Sequence, residues 1–451
     1  MNTTYIHSTR VLINEKLIEA TITIKDGIIA EVQNGKPDIK ELISHGDDVI
    51  MPGLIDSHVH INEPGRTDWE GFNTATKAAA AVGITTLIDM PLNSSPVTID
   101  KPSYEVKLNA AKKNLHVNCG FWGGIVPENA ASIQEIIDTD VLGIKAFLTH
   151  SGIDEFPNVT ESDLRKAMPL IAKHDIPLLV HCELDSPHDG IKILEENPDS
   201  YLAYLNSRPR EWENKAIKMM INLAEEYDCR VHIVHLSSSD LIPFIKEKRE
   251  QGVKLTVESC PHYLVLNAEE IPDGKPIYKC APPIREKENN DEIWQAIKDG
   301  IIDFIVTDHS PATPDLKQLE SGNYKEAWGG ISSLQHSLPL IWTTAQKKGF
   351  SIAEISNLMS LNVLKFLNFQ NRKGKLAKGF DADITVWSPE EKFTVQSKKL
   401  EYKNKISPYI GMELKGVVKQ TYVNGNLVYN NDKFERLNCG EIIKKKNKTN
   451  R

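Results

Sequence analysis

Apolar and polar positions alternate in short pieces from residue 4 to residue 50, as in Thr9-Arg-Val-Leu-Ile-Asn14 and Glu19-Ala-Thr-Ile-Thr-Ile-Lys25. A period of two marks a strand buried on one face. Asp26-Gly27, between two such runs, is a hairpin signal. The same texture returns at 382–387, 416–419 and 420–429, with Asn424-Gly425 as a second turn. Two β-rich ends most simply pair with each other. Residues 1–50 and 366–440 are therefore expected to form one small sheet domain, with the rest of the chain inserted between them.

Between 51 and 365 the pattern changes. Continuous apolar runs stand at 49–55, 84–88, 116–121, 142–148, 177–180, 230–234, 253–257 and 301–306. Such runs suit strands buried on both faces of a parallel sheet. Helical stretches separate them. The Ala-rich stretch 71–82 is closed by Gly83; Thr160 and Asp163 form a capping pair before a helix that holds Pro169 in an awkward interior position; and residues 290–300 put Ile293, Trp294 and Ile297 on one face. Eight strand–helix alternations predict an α/β fold, a (β/α)8 TIM-like barrel over 51–365. A doubly wound open sheet is disfavoured because no Gly-rich phosphate turn follows an early strand. Residues 441–451, with lysines at 444–446 and 448, read as a flexible basic tail.

Composition acts mainly by exclusion. The chain has 53 Lys and Arg against 62 Asp and Glu, a formal net charge of −9, which argues against a nucleic-acid partner. No apolar run approaches the ~18–20 residues of a membrane span. The N-terminal residues lack a basic start and an apolar signal core, so a cytoplasmic location is expected. The six cysteines, at 119, 182, 229, 260, 280 and 439, include no CxxC pair and are expected to be reduced, mostly buried thiols.

The strand ends carry the chemistry. In a barrel of this kind, working side chains come from the C-terminal ends of the strands. The first run leads into Asp56-Ser-His-Val-His60, where alternation puts His58 and His60 on one side. Two imidazoles so placed can grip one borderline metal ion. Asp56 shares that face and is placed to orient a ring by accepting its second N–H. Lys145 lies in the fourth run, His181 and His235 end the fifth and sixth, and Asp308 ends the eighth. His232, three residues before His235, faces the other way and reads as structural. His309 is given a supporting role, and His262 is read equally as structural or as a loop contact to substrate. Lys145 is the hardest to explain by packing. Burial lowers a lysine's pKa, and a free amine can take up CO2 to give a carbamate, an anionic group able to bridge two metals. Spacing alone leaves a plain strand lysine as the simpler reading.

Longer motifs add a family resemblance. DSHVHINEPGRTDWEGF at 56–72 resembles the metal motif of the amidohydrolase superfamily in its cyclic-amidase branch, alongside the allantoinases. IKAFLTHSG at 144–152 is similar to the segment of the carboxylated lysine, and ESCPHYL at 258–264 and KCAPPIR at 279–285 to later loops. AWGGIS at 327–332, KISPY at 405–409 and GFDADI at 379–384 extend the likeness over nearly the whole chain; the last resembles the return strand of the superfamily's β-sandwich, which implies that the sheet domain of 1–50 and 366–440 is a small β-sandwich. The resemblance implies two divalent metals, usually zinc. His58, His60 and Asp308 would hold one, His181 and His235 the other, and Lys145 as N6-carboxylysine would bridge them. Asp308 would act as general base and then acid, and Asn62, Ser151 and Cys280 would contact the substrate. It also implies a homo-oligomer, a tetramer by family expectation. The collapsin-response mediator proteins share the fold but lack intact ligands and serve as interaction scaffolds; here every expected ligand position is filled.

The branch is narrowed by two positions. Dihydroorotases place an Arg two residues after the second histidine to grip a carboxylate, and this chain has Asn62 there. Hydantoinases and dihydropyrimidinases place a Tyr shortly after the bridging lysine, and 146–153 contains none. The resemblance thus implies hydrolysis of an uncharged cyclic ureide, allantoin, with little activity on dihydroorotate.

Overall fold

The computed structural model describes residues 3–445. The alternating ends form nine strands of one sheet: β1 (Thr3–Ile13), β2 (Lys16–Lys25), β3 (Ile28–Asn34), β4 (Leu42–Ser44) and β5 (Val49–Pro52) from the start of the chain, joined by four from its end. Their order across the sheet is β18-β17-β16-β15-β5-β1-β2-β3, with β4 beside β1, where β15 is Ile384–Thr394, β16 Glu413–Val423, β17 Asn426–Asn430 and β18 Lys433–Phe434. The two chain ends meet where β5 runs antiparallel to β15, Val49 opposite Trp387 and Pro52 opposite Ile384. Ile6, Ile22, Ile29, Ile384, Val386 and Tyr422 share one core, so the sheet's two wings close on each other. Both expected turns are present: Asp26-Gly27 and Asn424-Gly425 each have two consecutive positive φ angles, the geometry that lets a two-residue hairpin follow the strand twist.

The inserted region is an eight-stranded parallel barrel. Its strands are β6 (Leu54–Val59), β7 (Ile84–Asp89), a third strand kinked at Trp122 into β8 (Asn118–Phe121) and β9 (Gly123–Gly124), β10 (Ile144–Phe147), β11 (Leu178–His181), β12 (Val231–Ile233), β13 (Leu255–Ser259) and β14 (Phe304–Ile305). A bridge from Val59 to His309 closes the ring, with the His60 N–H donating to the His309 carbonyl at 2.8 Å. The outer helices follow their caps. Phe72–Ala81 gives way to Gly83 at φ +86°, and Thr160 and Asp163 cap each other's ends of the first turn of Glu161–Lys173, which accommodates Pro169. Among the described residues no helix is long and apolar enough to cross a membrane.

Two expectations are corrected. The apolar run 49–55 is not one strand. Gly53 divides it into β5, which belongs to the large sheet, and β6, which opens the barrel. A Cβ at Gly53 would lie 2.3 Å from Thr85 Oγ1, so only glycine lets the chain pass between the two layers. The tail is also not free from residue 441. Cys119 of β8 donates to the Glu441 carbonyl at 2.9 Å and accepts from the Ile443 N–H at 2.8 Å, and Lys444 pairs with Asp140. The segment satisfies backbone groups that β8 would otherwise leave open. The remainder of the expected tail lies outside the described residues.

Candidate metal centre

His58, His60, His181, His235 and Asp308 come from strand ends on one side of the barrel and line a single cavity of about 580 Å³, while Lys145 lies within β10. His58 sits within β6 and His60 just beyond it. His235 and Asp308 lie beyond β12 and β14 with φ of +39° and +45°, a region costly for residues with a Cβ. Such outliers cluster where a side chain must be aimed rather than packed.

The nitrogens and oxygens of this cluster face one another across short gaps. His58 Nδ1 lies 2.5 Å from Glu258 Oε1, and a carboxylate can only accept, so that nitrogen carries the proton. Its Nε2 lone pair then faces Asp308 Oδ1 at 3.1 Å, and His60 Nε2 lies 3.5 Å from the same oxygen. His181 Nε2 donates to Glu183 Oε2 at 2.8 Å, which turns its Nδ1 lone pair toward His235 Nε2 at 3.0 Å. Acceptors this close repel unless a proton or a cation lies between them. The ligand atoms of His58, His235 and Asp308 lie within 4.8 Å of one another, a separation that a metal ion can span. The donor set of imidazole nitrogens and carboxylate oxygen fits a divalent transition metal.

Burial sets the charge states. It pushes the Asp308 carboxyl up, but the His58, His60 and His235 imidazoles outweigh it and hold the group well below the usual carboxylate range. Burial lowers His60 to about 4 and His181 and His235 below the ordinary histidine value, leaving neutral rings with lone pairs to offer. Lys145 is fully buried, its Nζ has no hydrogen-bond partner among the described residues, and it stands 4.8 Å from the Phe147 ring. Burial brings its amine down to about 8, against the opposing pull of Glu258 and Asp308. An amine so poised is available as a nucleophile toward CO2.

The residues that orient this cluster were not singled out from sequence. Asp56 was expected to accept a ring N–H; instead its carboxylate holds the backbone N–H of His58 at 3.0 Å and of Thr307 at 3.2 Å, stitching β6 to β14. Glu258 at the end of β13 does the orienting: Oε1 takes His58 and Oε2 lies 3.0 Å from His232 Nε2. His232 is therefore off the metal face, as read from its spacing. His309 braces the strand ends, accepting the Ser333 N–H at 3.2 Å on Nδ1 while Nε2 faces Glu70 at 3.3 Å. Glu183 is held in turn by Arg208, whose guanidinium it meets through both oxygens, one contact at 3.1 Å and the other at 2.5 Å. One signal could have found Glu258 and Glu183: each is a carboxylate at the apolar end of a strand, costly unless paired.

The expected substrate contacts divide. Ser151 is on the cavity wall, though its hydroxyl donates to the Phe156 carbonyl at 2.6 Å. Asn62 and Cys280 are not on that wall. Asn62 is fully buried at φ +64°, where the chain turns after His60, and its amide points to the Pro311 carbonyl at 3.4 Å. Cys280 is buried and its carbonyl accepts the Tyr204 hydroxyl at 2.6 Å. The wall is completed by Asn93, whose amide lies 3.2 Å from His60 Nδ1, by Ser310, and by Trp328, which packs edge-on to Trp69 at 4.8 Å.

The amidohydrolase family pattern matches residues 49–428 of this chain. The chain is similar to the allantoinase of Streptomyces avermitilis, 44% identical over 432 residues that span 95% of this chain and 96% of that protein. It is 41% identical to the allantoinase of Arabidopsis thaliana over 97% of this chain and 90% of that one, and 38% identical to the allantoinase of Saccharomyces cerevisiae over 94% and 95%. Among solved structures, the L-hydantoinase (dihydropyrimidinase) of Arthrobacter aurescens superposes with a TM-score of 0.92 at 27% identity, covering 98% of this chain and all of that one.

Proposed function

The chain belongs to the amidohydrolase family, and from that membership together with the strand-end cluster we propose that it opens the hydantoin ring of allantoin by hydrolysis to give allantoate. The single observation that carries the hydrolytic reading is the gathering of imidazole nitrogens from His58, His181 and His235 with the Asp308 carboxylate on the wall of one cavity. Two divalent ions, zinc in this reading, held by His58, His60 and Asp308 and by His181 and His235 with the Lys145 carbamate between them, would supply an activated water at neutral pH and a polarised ring carbonyl.

The chain's own residues do the rest. Asp308, whose carboxyl lies well below the usual carboxylate range, takes a proton from the attacking water. The new C–O bond forms at the ring carbonyl carbon, the C–N bond breaks, and Asp308 returns the proton to the departing nitrogen. Glu258 and Glu183 fix the tautomers of His58 and His181, so the lone pairs stay aimed inward throughout.

Charge on the cavity wall supports an uncharged substrate. Among the described residues its basic side chains are Arg208, Lys279 and Lys325. Arg208 is matched by Glu183, Lys325 by Glu195 at 3.1 Å, and Lys279 donates to the Ala327 carbonyl at 2.6 Å. Burial also lowers the Lys279 amine to about 7. Nothing at Asn62 replaces the carboxylate-gripping Arg of a dihydroorotase. A neutral ureide is favoured over an acid. The family resemblance further supports a cytoplasmic homotetramer, measurable by light scattering of the purified protein. The deciding test is to follow ring opening by metal-loaded enzyme on allantoin, dihydroorotate and a simple hydantoin. Allantoin is expected to turn over fastest; faster turnover of dihydroorotate overturns the substrate assignment.

A further inference from the structure

One ligand-like cluster is left over once the strand-end site is accounted for. A sulfur of Cys260, a ring nitrogen of His262 and a carboxylate oxygen of Asp308 lie within 4.8 Å of one another. Cys260 follows directly on β13 and caps the short helix Pro261–Val265 that carries His262. Cys260 and His262 are fully buried. A histidine in that position ordinarily satisfies both ring nitrogens, yet among the described residues neither nitrogen of His262 has a hydrogen-bond partner, and its ring packs against Tyr263 at 4.3 Å. Its neighbours give it no structural reason to be a histidine rather than an apolar residue.

We propose that Cys260, His262 and Asp308 form an additional, inhibitory site for a thiophilic divalent cation, reached through the cavity and sharing Asp308 with the catalytic cluster. The donor set of one thiolate, one imidazole and one carboxylate is that of a borderline-to-soft metal, with water free to take a fourth position. Metal–ligand bonds of about 2.0–2.3 Å set tetrahedral ligand atoms about 3.3–3.8 Å apart, so movements of about 1 Å close the set. As the metal–sulfur bond forms, the thiol proton passes to solvent; nothing is oxidised or reduced. Entry is through Asp308, which lines the cavity. Because one carboxylate cannot serve two sites equally, filling this one draws Asp308 from its position facing His58 and His60. Excess metal would then slow the enzyme rather than activate it. This inhibitory consequence rests on the role given to Asp308 above; the binding itself does not.

The test titrates the metal-loaded enzyme with Cd2+ and reads three quantities: cadmium bound per chain, thiolate-to-cadmium charge-transfer absorption, and ring-opening rate. The site predicts one further cadmium with that absorption, and a loss of turnover of at least about a hundredfold, as expected when a general base is withdrawn. Cys260→Ser is expected to abolish the absorption and resist inhibition while keeping its basal rate. His262→Gln, which leaves the thiol in place, is expected to weaken the extra cadmium by at least about tenfold. If the serine variant fails to fold by its thermal melt, Cys260→Ala is read in the same way. Absorption that persists without Cys260, or equal inhibition of wild type and variant through exchange into the catalytic cluster, overturns the proposal. Absorption and stoichiometry need no substrate, so they decide this site whichever cyclic amide the enzyme opens.

Discussion

Two buried lysines show how differently the same side chain is used at the two ends of this molecule. Lys373 sits between the barrel and the large sheet, 2.5 Å from Asp383 Oδ2 and 2.8 Å from Asp381 Oδ2. Asp383 also accepts the Asn118 amide of β8 at 3.2 Å, so the cluster ties the two domains together. Burial alone would lower the Lys373 amine, but the two carboxylates outweigh it and raise the value. Lys145 is buried to the same degree with no hydrogen-bond partner, and burial brings its amine down to about 8. Burial is common to both, and pairing separates them. One lysine is held as a permanent cation that stabilises the fold; the other is kept near neutrality, where an amine has a lone pair to use.

Substitution should break this contrast most sharply at Lys145. Lys145→Ala is expected to lower turnover of the cyclic amide by about a thousandfold or more, the several kcal/mol that a two-metal site supplies. Short carboxylic acids added to that variant should restore part of the rate by filling the bridging position, and Lys145→Arg should be as inactive as Ala because a guanidinium stays cationic. Normal turnover and full metal content in Lys145→Ala would reduce Lys145 to a strand residue.

At Lys373 the effect should fall on stability instead. Lys373→Met leaves two buried carboxylates facing each other, and removal of one partner of a buried ion cluster costs about 3–5 kcal/mol. Urea unfolding should report that loss, while the rate per folded molecule stays near wild type. A variant that keeps its stability but loses activity would place Lys373 in the wrong category.

Glu258 tests the orienting shell between these extremes. Glu258→Gln keeps the shape but weakens the hold on the His58 Nδ1–H, and metal affinity is expected to fall about 10–100-fold. Competition with a chelator measures it directly. An unchanged affinity would show that strand geometry alone aims His58.

The smallest effect is the dependence of stability on pH in metal-free protein. The folded amine of Lys145 lies at about 8, below its ordinary value of 10.5, so above pH 8 the unfolded chain binds the extra proton. Stability should therefore rise with pH between about 8 and 10.5, by up to about 1.4 kcal/mol per pH unit, relative to Lys145→Met. Lys373 has the opposite sign. Its raised folded value adds stability that is fully present below 10.5 and is lost as pH rises through the folded value. Between pH 7.5 and 9.5 the stability of wild type relative to Lys145→Met should rise, while its margin over Lys373→Met should stay constant; melting curves in which both differences move together would remove the distinction.

Much of this arrangement was legible along the chain, because it depends on local periodicity. Alternation at the two ends marked the strands of one sheet, and apolar runs marked the barrel strands. The residue at each run's end named His58, His60, His181, His235 and Asp308 as neighbours, since a parallel barrel gathers those ends on one side. The two positive-φ turns were written in Asp-Gly and Asn-Gly dipeptides.

What only the tertiary structure decided are the pairings between residues far apart in sequence. Glu258 meets His58 across two hundred positions, and no spacing rule connects them. The division of the first run at Gly53 depends on how near Thr85 comes. Asn62 followed the metal motif closely enough to read as a substrate contact, yet a left-handed turn carries its amide away to Pro311. A sequence records which side chains are available and which face of a strand they take. Whether a buried lysine has an aspartate beside it is a matter of distance between elements, and that leaves Lys373 paired and Lys145 without a hydrogen-bond partner among the described residues.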